Sequence, residues 1–155
     1  MKAVLQRVLV ARVEVDEKTV GKIQHGVVAL VGIGQNDTEK ELEFMAEKIS
    51  TLRIFEDNNF KMNKSLIDVG GGLLIVPNFT LYSDLSHGRR PYFSGGASYE
   101  NATELFEKFV GFAKNTPIKS VESGIFGSDM KLSLLNDGPV TIIIDTDEIM
   151  KVKEA

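Results

Sequence analysis

Alternation of hydrophobic and polar positions at the start of the chain predicts a long β-strand. Over residues 2–15 most apolar side chains of one face fall on odd positions, which are Ala3, Leu5, Leu9, Ala11, Val13 and Val15. A period of two residues is typical of a strand with one buried face. Turn residues follow at 16–18, and short strands are predicted at 19–23 and 27–33. The three strands together would form an antiparallel meander.

Two helices are predicted from apolar side chains that recur at three- and four-residue steps. The first begins after Thr38, because Thr38 and Glu41 have the spacing of a capping box. Its inward stripe consists of Leu42, Met45, Ile49 and Leu52. The second helix covers residues 98–114, and its inward side chains are Ala102, Leu105, Phe106, Phe109 and either Phe112 or Ala113. Such stripes are typical of helices that lie on a core.

The rest of the chain predicts further short strands and one long loop. Strands are expected at 53–55, 73–76, 130–134 and 140–144, and the loop, rich in Ser, Gly and Arg, covers 83–97. The sum is a single α+β domain over residues 1–155, in which an antiparallel, barrel-like sheet carries two outer helices. Residues 146–155 are expected to form a flexible C-terminal tail.

The segment Asn136-Asp137-Gly138-Pro139 allows two interpretations. All four residues favour turns, so the segment can be a hairpin turn between two strands. The Gly138–Pro139 bond can also be cis, and a cis bond in a tight turn usually has a purpose.

Composition narrows the class of protein. The 155 residues, 43% hydrophobic and 26% charged, suit one soluble domain, and the absence of Cys excludes a thiolate nucleophile or a Cys-based metal site. A formal net charge of −4 argues against a broad RNA-binding surface, although a few local cations can still hold the end of an RNA. No apolar run approaches the roughly 18 residues of a membrane span, and the start lacks the apolar stretch of a signal peptide. A cytoplasmic protein is expected.

The two histidines do not indicate a metal site or a catalytic centre. His25 and His87 are the only two and lack the spacing of metal ligands, so no metal or other cofactor is expected. His87 precedes Gly88-Arg89-Arg90 in the predicted loop, where it is either a general base or a solvated side chain.

A more promising segment is Pro77-Asn78-Phe79-Thr80, at the end of the buried strand 73–76. Thr80 supplies a hydroxyl group, and the backbone N–H groups of Asn78, Phe79 and Thr80 could stabilise an oxyanion. No base is evident that would activate Thr80 as a nucleophile. From the residues alone, a strand-end proline turn without catalytic function is the competing interpretation.

At these two segments the chain resembles the D-aminoacyl-tRNA deacylase family. The resemblance covers about residues 1–146 and includes 3–8, 52–57, 88–93 and 124–130. The family signature Asn-x-Gly-Pro-x-Thr is intact at 136–141. The other signature usually begins Ser-Gln-Phe-Thr, and here Pro77 and Asn78 replace the first two residues. A related animal deacylase that acts on L-alanine mischarged to a threonine tRNA also has Pro at that position.

The resemblance implies a β-barrel-like α+β domain in a symmetric dimer, with active sites at the interface. The Gly138–Pro139 peptide would be cis and would enter the partner's pocket, where its carbonyl oxygens would exclude the side chain of an L-amino acid. Arg7 resembles the arginine that braces this element, and Asn136 belongs to the same gate. Asn78, Phe79 and Thr80 would form the catalytic site.

The expected activity is hydrolysis of the ester of D-aminoacyl-tRNA, and of glycyl-tRNA mischarged on other tRNAs. The 2′-hydroxyl of the terminal adenosine would help to activate water. The partners would be the 3′ end of aminoacyl-tRNA and a second copy of the chain, with no membrane and no DNA. Candidate phosphate contacts are Lys61, Lys64, Arg89 and Arg90. Three alternatives stay open: a deacylase that also accepts some L-aminoacyl-tRNAs, a non-catalytic module that binds the tRNA end, and a threonine-nucleophile amidohydrolase for small D-amino-acid derivatives.

Overall fold

The computed structural model describes residues 1–153 of the chain, with side chains as far as Lys151. In chain order the elements are β1 (Lys2–Val15), β2 (Lys18–Ile23), β3 (Gly26–Gly32), α1 (Glu39–Thr51), β4 (Phe55–Glu56), β5 (Met62–Lys64), β6 (Gly72–Pro77), a 3-10 turn (Phe79–Tyr82), α2 (Tyr99–Lys114), β7 (Ser120–Ser123), β8 (Lys131–Asp145) and α3 (Thr146–Lys153). The α+β class with a nearly closed, barrel-like sheet is confirmed.

The long first strand organises the sheet. β3 pairs antiparallel with β1 from Lys2 to Val8, and β2 pairs with it from Ala11 to Val15. β8 pairs antiparallel with β1 from Lys2 to Glu14. β1 is therefore bordered on one edge by β2 or β3 and on the other by β8. The predicted meander is wrong, because β3 pairs with β1 and not with β2.

The sheet is mixed and not purely antiparallel. β6 runs parallel to β3, and β7 runs parallel to β6. β4 and β5 form a separate antiparallel pair. Parallel neighbours need long crossover connections, and α1 and α2 lie within those connections. This explains why the short strands of the middle of the chain do not follow the hairpin order that their spacing suggests.

Two buried apolar clusters fill the two faces of the sheet. One lies between the sheet and the helices and includes Leu5, Ala29 and Ile75 with Met45 and Phe109. The other lies inside the curved sheet, and its members are Val8, Ala11, Val13, Ile23, Val28, Leu74 and Val76. Because β3 and β6 contribute to both clusters, these strands are apolar almost throughout.

The predicted inward face of β1 is not one continuous face: Ala3 and Leu5 lie in the cluster against the helices, whereas Ala11 and Val13 lie in the cluster inside the curved sheet. The register of β1 against β8 shifts between Gln6 and Val8 and again between Val8 and Val10. Arg7 follows the alternation of Ala3 and Leu5 and is buried, whereas the shifts bury Val8 and leave Leu9 exposed, contrary to the prediction that Leu9 faces inward. A bulge places two residues against one and so moves the following odd-numbered side chains to the other face of the sheet.

The helix predictions are confirmed, and one helix was missed. Thr38 and Glu41 form the predicted capping box of α1, and Ser98 caps α2. Where a flexible tail was expected, residues 146–153 form α3, while residues 154–155 lie outside the described part of the chain. No helix among the described residues is long and apolar enough to cross a membrane.

Candidate active site

An open cavity of about 480 Å³ lies beside the 3-10 turn, between the ends of β3 and β6 and the start of α2. Its walls are mostly aliphatic and aromatic. The lining residues are Val31, Ile33, Pro77, Asn78, Phe79, Phe93, Gly96, Ala97, Tyr99, Ala102, Phe126, Gly127, Ser128 and Met130. A concave, largely apolar site with a few polar groups is typical of ligand pockets.

The local geometry of Asn78 and Thr80 restricts their chemistry. The Asn78 N–H donates to the Val31 carbonyl oxygen at 2.7 Å, so it is not available as an oxyanion donor, contrary to the prediction. The N–H groups of Phe79 and Thr80 have no acceptor within the described residues. The Thr80 hydroxyl donates to the Asn78 side-chain oxygen at 2.5 Å. The side chains of Asn78 and Thr80 therefore hold each other.

Aromatic side chains form the mouth of the cavity. Phe79 is 61% exposed, so its ring is accessible at the cavity mouth. Its ring meets Phe93 edge to face, with centroids 5.1 Å apart, and on the opposite wall Tyr99 meets Phe126 at 5.5 Å. Edge-to-face pairs of this kind are favourable arrangements of aromatic rings. Phe93, Tyr99 and Phe126 were not predicted as site residues.

The gate residues are held by Arg7, which is only 5% exposed. Its Nε donates to the Asp137 carbonyl oxygen at 3.1 Å and lies 3.3 Å from the Asp137 carboxylate. Its Nη1 donates to the Ile54 carbonyl oxygen at 2.8 Å. A buried guanidinium needs partners of this kind, because desolvation of an unpaired charge is costly.

The Gly138–Pro139 peptide bond is cis, as the sequence suggested. It does not form a hairpin turn, because β8 continues through it from Lys131 to Asp145. The Asn136 side chain bridges the segment: its oxygen accepts from the Val140 N–H at 2.9 Å, and its nitrogen lies 3.2 Å from the Thr141 hydroxyl. Gly138 has a φ of +130°, and a Cβ there would lie 2.7 Å from Val140 Cγ2.

The two predicted groups of site residues do not meet within one chain. Asn78 and Phe79 line the cavity, and Thr80 contacts Asn78. Arg7, Asn136, Gly138 and Pro139 are not among the lining residues, and Gly138 and Pro139 are exposed.

The four predicted phosphate contacts fall into two places. Lys61 lies in the turn between β4 and β5, and Lys64 lies on β5. Arg89 and Arg90 lie in a loop that is closed by two backbone hydrogen bonds between Asp84 and Tyr92. Within the described residues none of the four forms an ion pair within 4 Å.

Tyr82 ends the 3-10 turn with an unusual hydroxyl group. The oxygen is buried and has no hydrogen-bond partner among the described residues. The ring packs against Gly34, and the Lys2 ammonium lies 5.1 Å from its centroid. Burial, together with the negative charges of Asp37, Asp145 and Asp147, raises the pKa of Tyr82 above its usual value. The hydroxyl group therefore stays neutral at physiological pH.

Comparison with known proteins identifies the family. The family model described as D-Tyr-tRNA(Tyr) deacylase matches residues 4–145. A D-aminoacyl-tRNA deacylase of Thermosipho africanus is 51% identical over 149 residues, which are 96% of this chain and 99% of that protein. One of Clostridium botulinum (strain 657 / Type Ba4) is 49% identical over 146 residues, 94% of this chain and 97% of that protein.

Solved structures agree with this match. A structure named c-Myc DNA Unwinding Element Binding Protein has a TM-score of 0.88 and 38% identity, and the match covers 94% of this chain and 98% of that one. A "probable eukaryotic D-amino acid tRNA deacylase" shares the fold, with a TM-score of 0.82, 19% identity and coverage of 93% and 98%. The chain belongs to the D-Tyr-tRNA(Tyr) deacylase family, whose curated members are named D-aminoacyl-tRNA deacylases.

Proposed function

We propose that this protein hydrolyses the ester bond between a D-amino acid and the 3′ end of tRNA, and so removes D-amino acids from the charged tRNA of the cytoplasm. Family membership supports this activity. The structural observation that carries it is the combination of an open cavity beside Asn78 and Phe79 with an exposed Gly138–Pro139 segment held by Arg7.

The active form in this proposal is a symmetric dimer. The Gly138–Pro139 segment is exposed and the cavity is open, so each chain can insert its segment into the cavity of the other. The backbone carbonyl groups of the segment would then occupy the space that the side chain of an L-amino acid needs. A D side chain would point away from them. Glycine has no side chain, so glycyl-tRNA mischarged on other tRNAs would be accepted too.

Water is the nucleophile in the proposed reaction. The Thr80 hydroxyl donates to an amide oxygen, which is not a base at neutral pH, so this contact does not activate Thr80. Water adds to the ester carbonyl carbon, and the free N–H groups of Phe79 and Thr80 stabilise the negative charge on the carbonyl oxygen. The intermediate collapses with cleavage of the bond to the 3′-oxygen. A proton relayed through the 2′-hydroxyl of the adenosine reaches that leaving oxygen, and free amino acid and tRNA result.

A second candidate is a deacylase that also accepts some L-aminoacyl-tRNAs. The observation that favours it is the position of Pro77 and Asn78, since both line the cavity and both depart from the usual family signature. Pro77 lacks an N–H and a hydroxyl group that Ser would supply.

The test compares D-tyrosyl-tRNA, L-tyrosyl-tRNA and glycyl-tRNA at catalytic concentrations of the protein. Rapid loss of the D and glycyl esters with the L ester spared is the expected result. Cleavage of the L ester at a similar rate would favour the second candidate. Binding of tRNA without hydrolysis of any ester would contradict the enzymatic proposal and leave a non-catalytic binding module.

A salt series on variants tests the contacts with tRNA. We propose that Lys61, Lys64, Arg89 and Arg90 contact tRNA phosphates, and a shallower dependence of KM on salt in their alanine variants is the expected result. The absence of DNA binding stays a prediction, which a titration of the protein with duplex DNA checks.

A further inference from the structure

The turn between β4 and β5 carries an aromatic side chain in an unusual position. Phe60 is 83% exposed, and its φ is +59°. A positive φ is unfavourable for a bulky residue. A single exposed apolar side chain normally needs no explanation, but an exposed ring on an unfavourable backbone conformation does. Backbone conformations of this kind persist only where the surrounding structure holds them, and they often occur at functional sites.

The turn around Phe60 is preorganised. The Asp57 carboxylate accepts from the N–H groups of Asn59 at 2.8 Å and Lys61 at 3.1 Å. The hydrogen bond from the Lys61 N–H, and to a smaller extent the one from Asn59, lowers the pKa of Asp57 below its usual value. The Phe60 N–H donates to the Asp57 carbonyl oxygen, and the Asp57 N–H donates to that of Lys61 at 2.8 Å. The ring of Phe60 is therefore presented to solvent by a turn that is already ordered.

The surroundings of the ring are polar. Asn58, Asn59 and Lys61 flank it and are exposed, and Lys61 forms no ion pair among the residues that the structure describes. An isolated aromatic ring beside amide groups and a free ammonium suits an unpaired nucleotide, whose base stacks on the ring while its phosphate meets the cation. An apolar protein surface would leave these polar groups without partners.

The turn is connected to the gate. The Arg7 guanidinium binds the Ile54 carbonyl oxygen, just before β4, and the Asp137 carbonyl oxygen, just before Gly138. Phe60 is the sixth residue after Ile54, so the tip of the turn lies at most about 22 Å from this anchor. With about 3.4 Å per stacked nucleotide, that distance corresponds to at most about six nucleotides of single strand.

We propose that Phe60, with Lys61 beside it, binds an unpaired nucleotide near the 3′ end of the tRNA whose ester lies in the cavity of the partner subunit. This inference rests on the proposed function, because the gate carries the turn to that cavity in the dimer. The site has two parts: Phe60 supplies a stacking surface of no base preference, and Lys61 supplies a phosphate contact. Catalysis itself needs neither, so the site determines affinity for tRNA and not the rate of the chemical step.

The experiment measures deacylation of D-tyrosyl-tRNA and of the D-tyrosyl ester of adenosine, which lacks the rest of the tRNA. The variants are Phe60→Leu, which keeps apolar bulk without a π face, Phe60→Trp, which keeps stacking, and Phe60→Gly, which also removes the unfavourable φ. Loss of one stacked base predicts an increase in KM for the tRNA of about 5- to 100-fold in Phe60→Leu and Phe60→Gly. The kcat for the tRNA, both constants for the adenosine ester, and the KM of Phe60→Trp are expected to stay at the wild-type level.

A direct measurement of the binding of uncharged tRNA separates the proposed nucleotide site at Phe60 from the proposed deacylase activity. If the wild type hydrolyses neither ester, the proposed function fails, and the Kd of uncharged tRNA still tests Phe60. Equal KM and Kd in the wild type and Phe60→Leu would overturn the inference while leaving the deacylase intact. A change in oligomeric state of Phe60→Leu or Phe60→Gly, measured by sedimentation, would also overturn it, because the ring would then belong to the contact between subunits.

Discussion

The cavity and the gate are held by different means. At the cavity mouth Phe79, Phe93 and Tyr99 are exposed, and the Thr80–Asn78 hydrogen bond connects two neighbours in sequence. At the gate, Arg7 joins segments 47 and 130 residues away, and the Asn136 side chain holds the following backbone.

This difference teaches how selection and catalysis are divided in the proposed enzyme. Exposed side chains around a cavity can adapt to different amino acids, which a broad deacylase needs. A backbone element that excludes one enantiomer must keep its position to within a fraction of an ångström, because a displaced carbonyl group no longer clashes. In the proposed enzyme, the segment that would reject L-amino acids is therefore held in place, and the cavity that would accept the substrate is left open.

Replacement of Arg7 is expected to have the largest effect on the gate, both on its stability and on its discrimination between D and L esters. Arg7→Leu leaves the Asp137 and Ile54 carbonyl groups and the Asp137 carboxylate without their donor. The Asp137 carboxylate is 35% exposed and can be solvated, so the main cost lies in the two carbonyl groups, at about 1–3 kcal/mol of unfolding free energy for each one left unsatisfied, which urea denaturation measures. The surviving fraction is expected to hydrolyse L-tyrosyl-tRNA.

Arg12→Leu on the same strand is the matched control. Arg12 is exposed and pairs with Glu14 at 3.5 Å, so its loss should change the unfolding free energy by less than about 1 kcal/mol. An equal effect of the two substitutions would show that the gate is not specially braced.

Replacement of Gly138 alters the gate and also crowds its brace, because a Cβ at residue 138 would lie 3.2 Å from Arg7 Nη2. Gly138→Ala places a Cβ at a φ of +130°, which is strained for an L-residue, and 2.7 Å from Val140 Cγ2, so the segment or the Val140 side chain must move. We expect a loss of about 1–3 kcal/mol in unfolding free energy and a fall in the ratio of kcat/KM for the D and L esters.

The control for this substitution is Gly111→Ala, in α2, where a Cβ meets nothing within 4 Å. It should stabilise the protein by about 0.4–1 kcal/mol and leave the D to L ratio unchanged. A Gly138→Ala variant with full discrimination would mean that the segment does not exclude L-amino acids.

Replacement of Thr80 tests the cavity. Thr80→Val removes the hydroxyl group that holds Asn78 and keeps the shape of the side chain. If water is the nucleophile, single-turnover rates on D-tyrosyl-tRNA should fall by less than about tenfold, the effect of one neutral hydrogen bond. Complete loss of turnover, with recovery in Thr80→Ser, would instead identify Thr80 as the nucleophile.

The smallest effect is expected at Tyr82, beside the cavity. Tyr82→Phe removes a buried hydroxyl group that has no partner among the described residues. Its desolvation is unfavourable, so the variant should be as stable as the wild type or more stable by about 1 kcal/mol in urea denaturation. A clear loss of stability would show that the hydroxyl group is bonded in solution.

Local signals in the sequence were sufficient for α1 and α2, although not for α3. The capping box of Thr38 and Glu41 and the apolar stripe after it depend on residues within one or two turns, and α1 begins where they place it. The faces and the limits of the strands could not be predicted without knowing which strands pair with each other. Leu9 is exposed because β8 shifts its register against β1, and β8 passes through 136–139 although every residue there favours a turn.

The candidate site was predictable only in part. The resemblance pointed to Arg7, which contacts the Asp137 carbonyl oxygen beside Gly138, and to the cis peptide at Pro139. It did not indicate that the Asn78 N–H is bonded to Val31, since that depends on the parallel pairing of β3 and β6. Phe93, Tyr99 and Phe126 come from separate loops and a helix start, and only the fold brings them to one cavity.

The pairing of β8 with β1 also sets a sequence of events during synthesis. The ribosome releases β1 first, and β2 and β3 can cover one of its edges soon afterwards, but the edge from Lys2 to Glu14 waits for residues 131–145. At about 5–20 residues per second, this edge stays open for several seconds or more. An unpaired strand edge can pair with another nascent chain, so the protein is prone to aggregate during this interval. The final step that closes the edge also creates the gate, and no incomplete chain can discriminate between enantiomers in the proposed way.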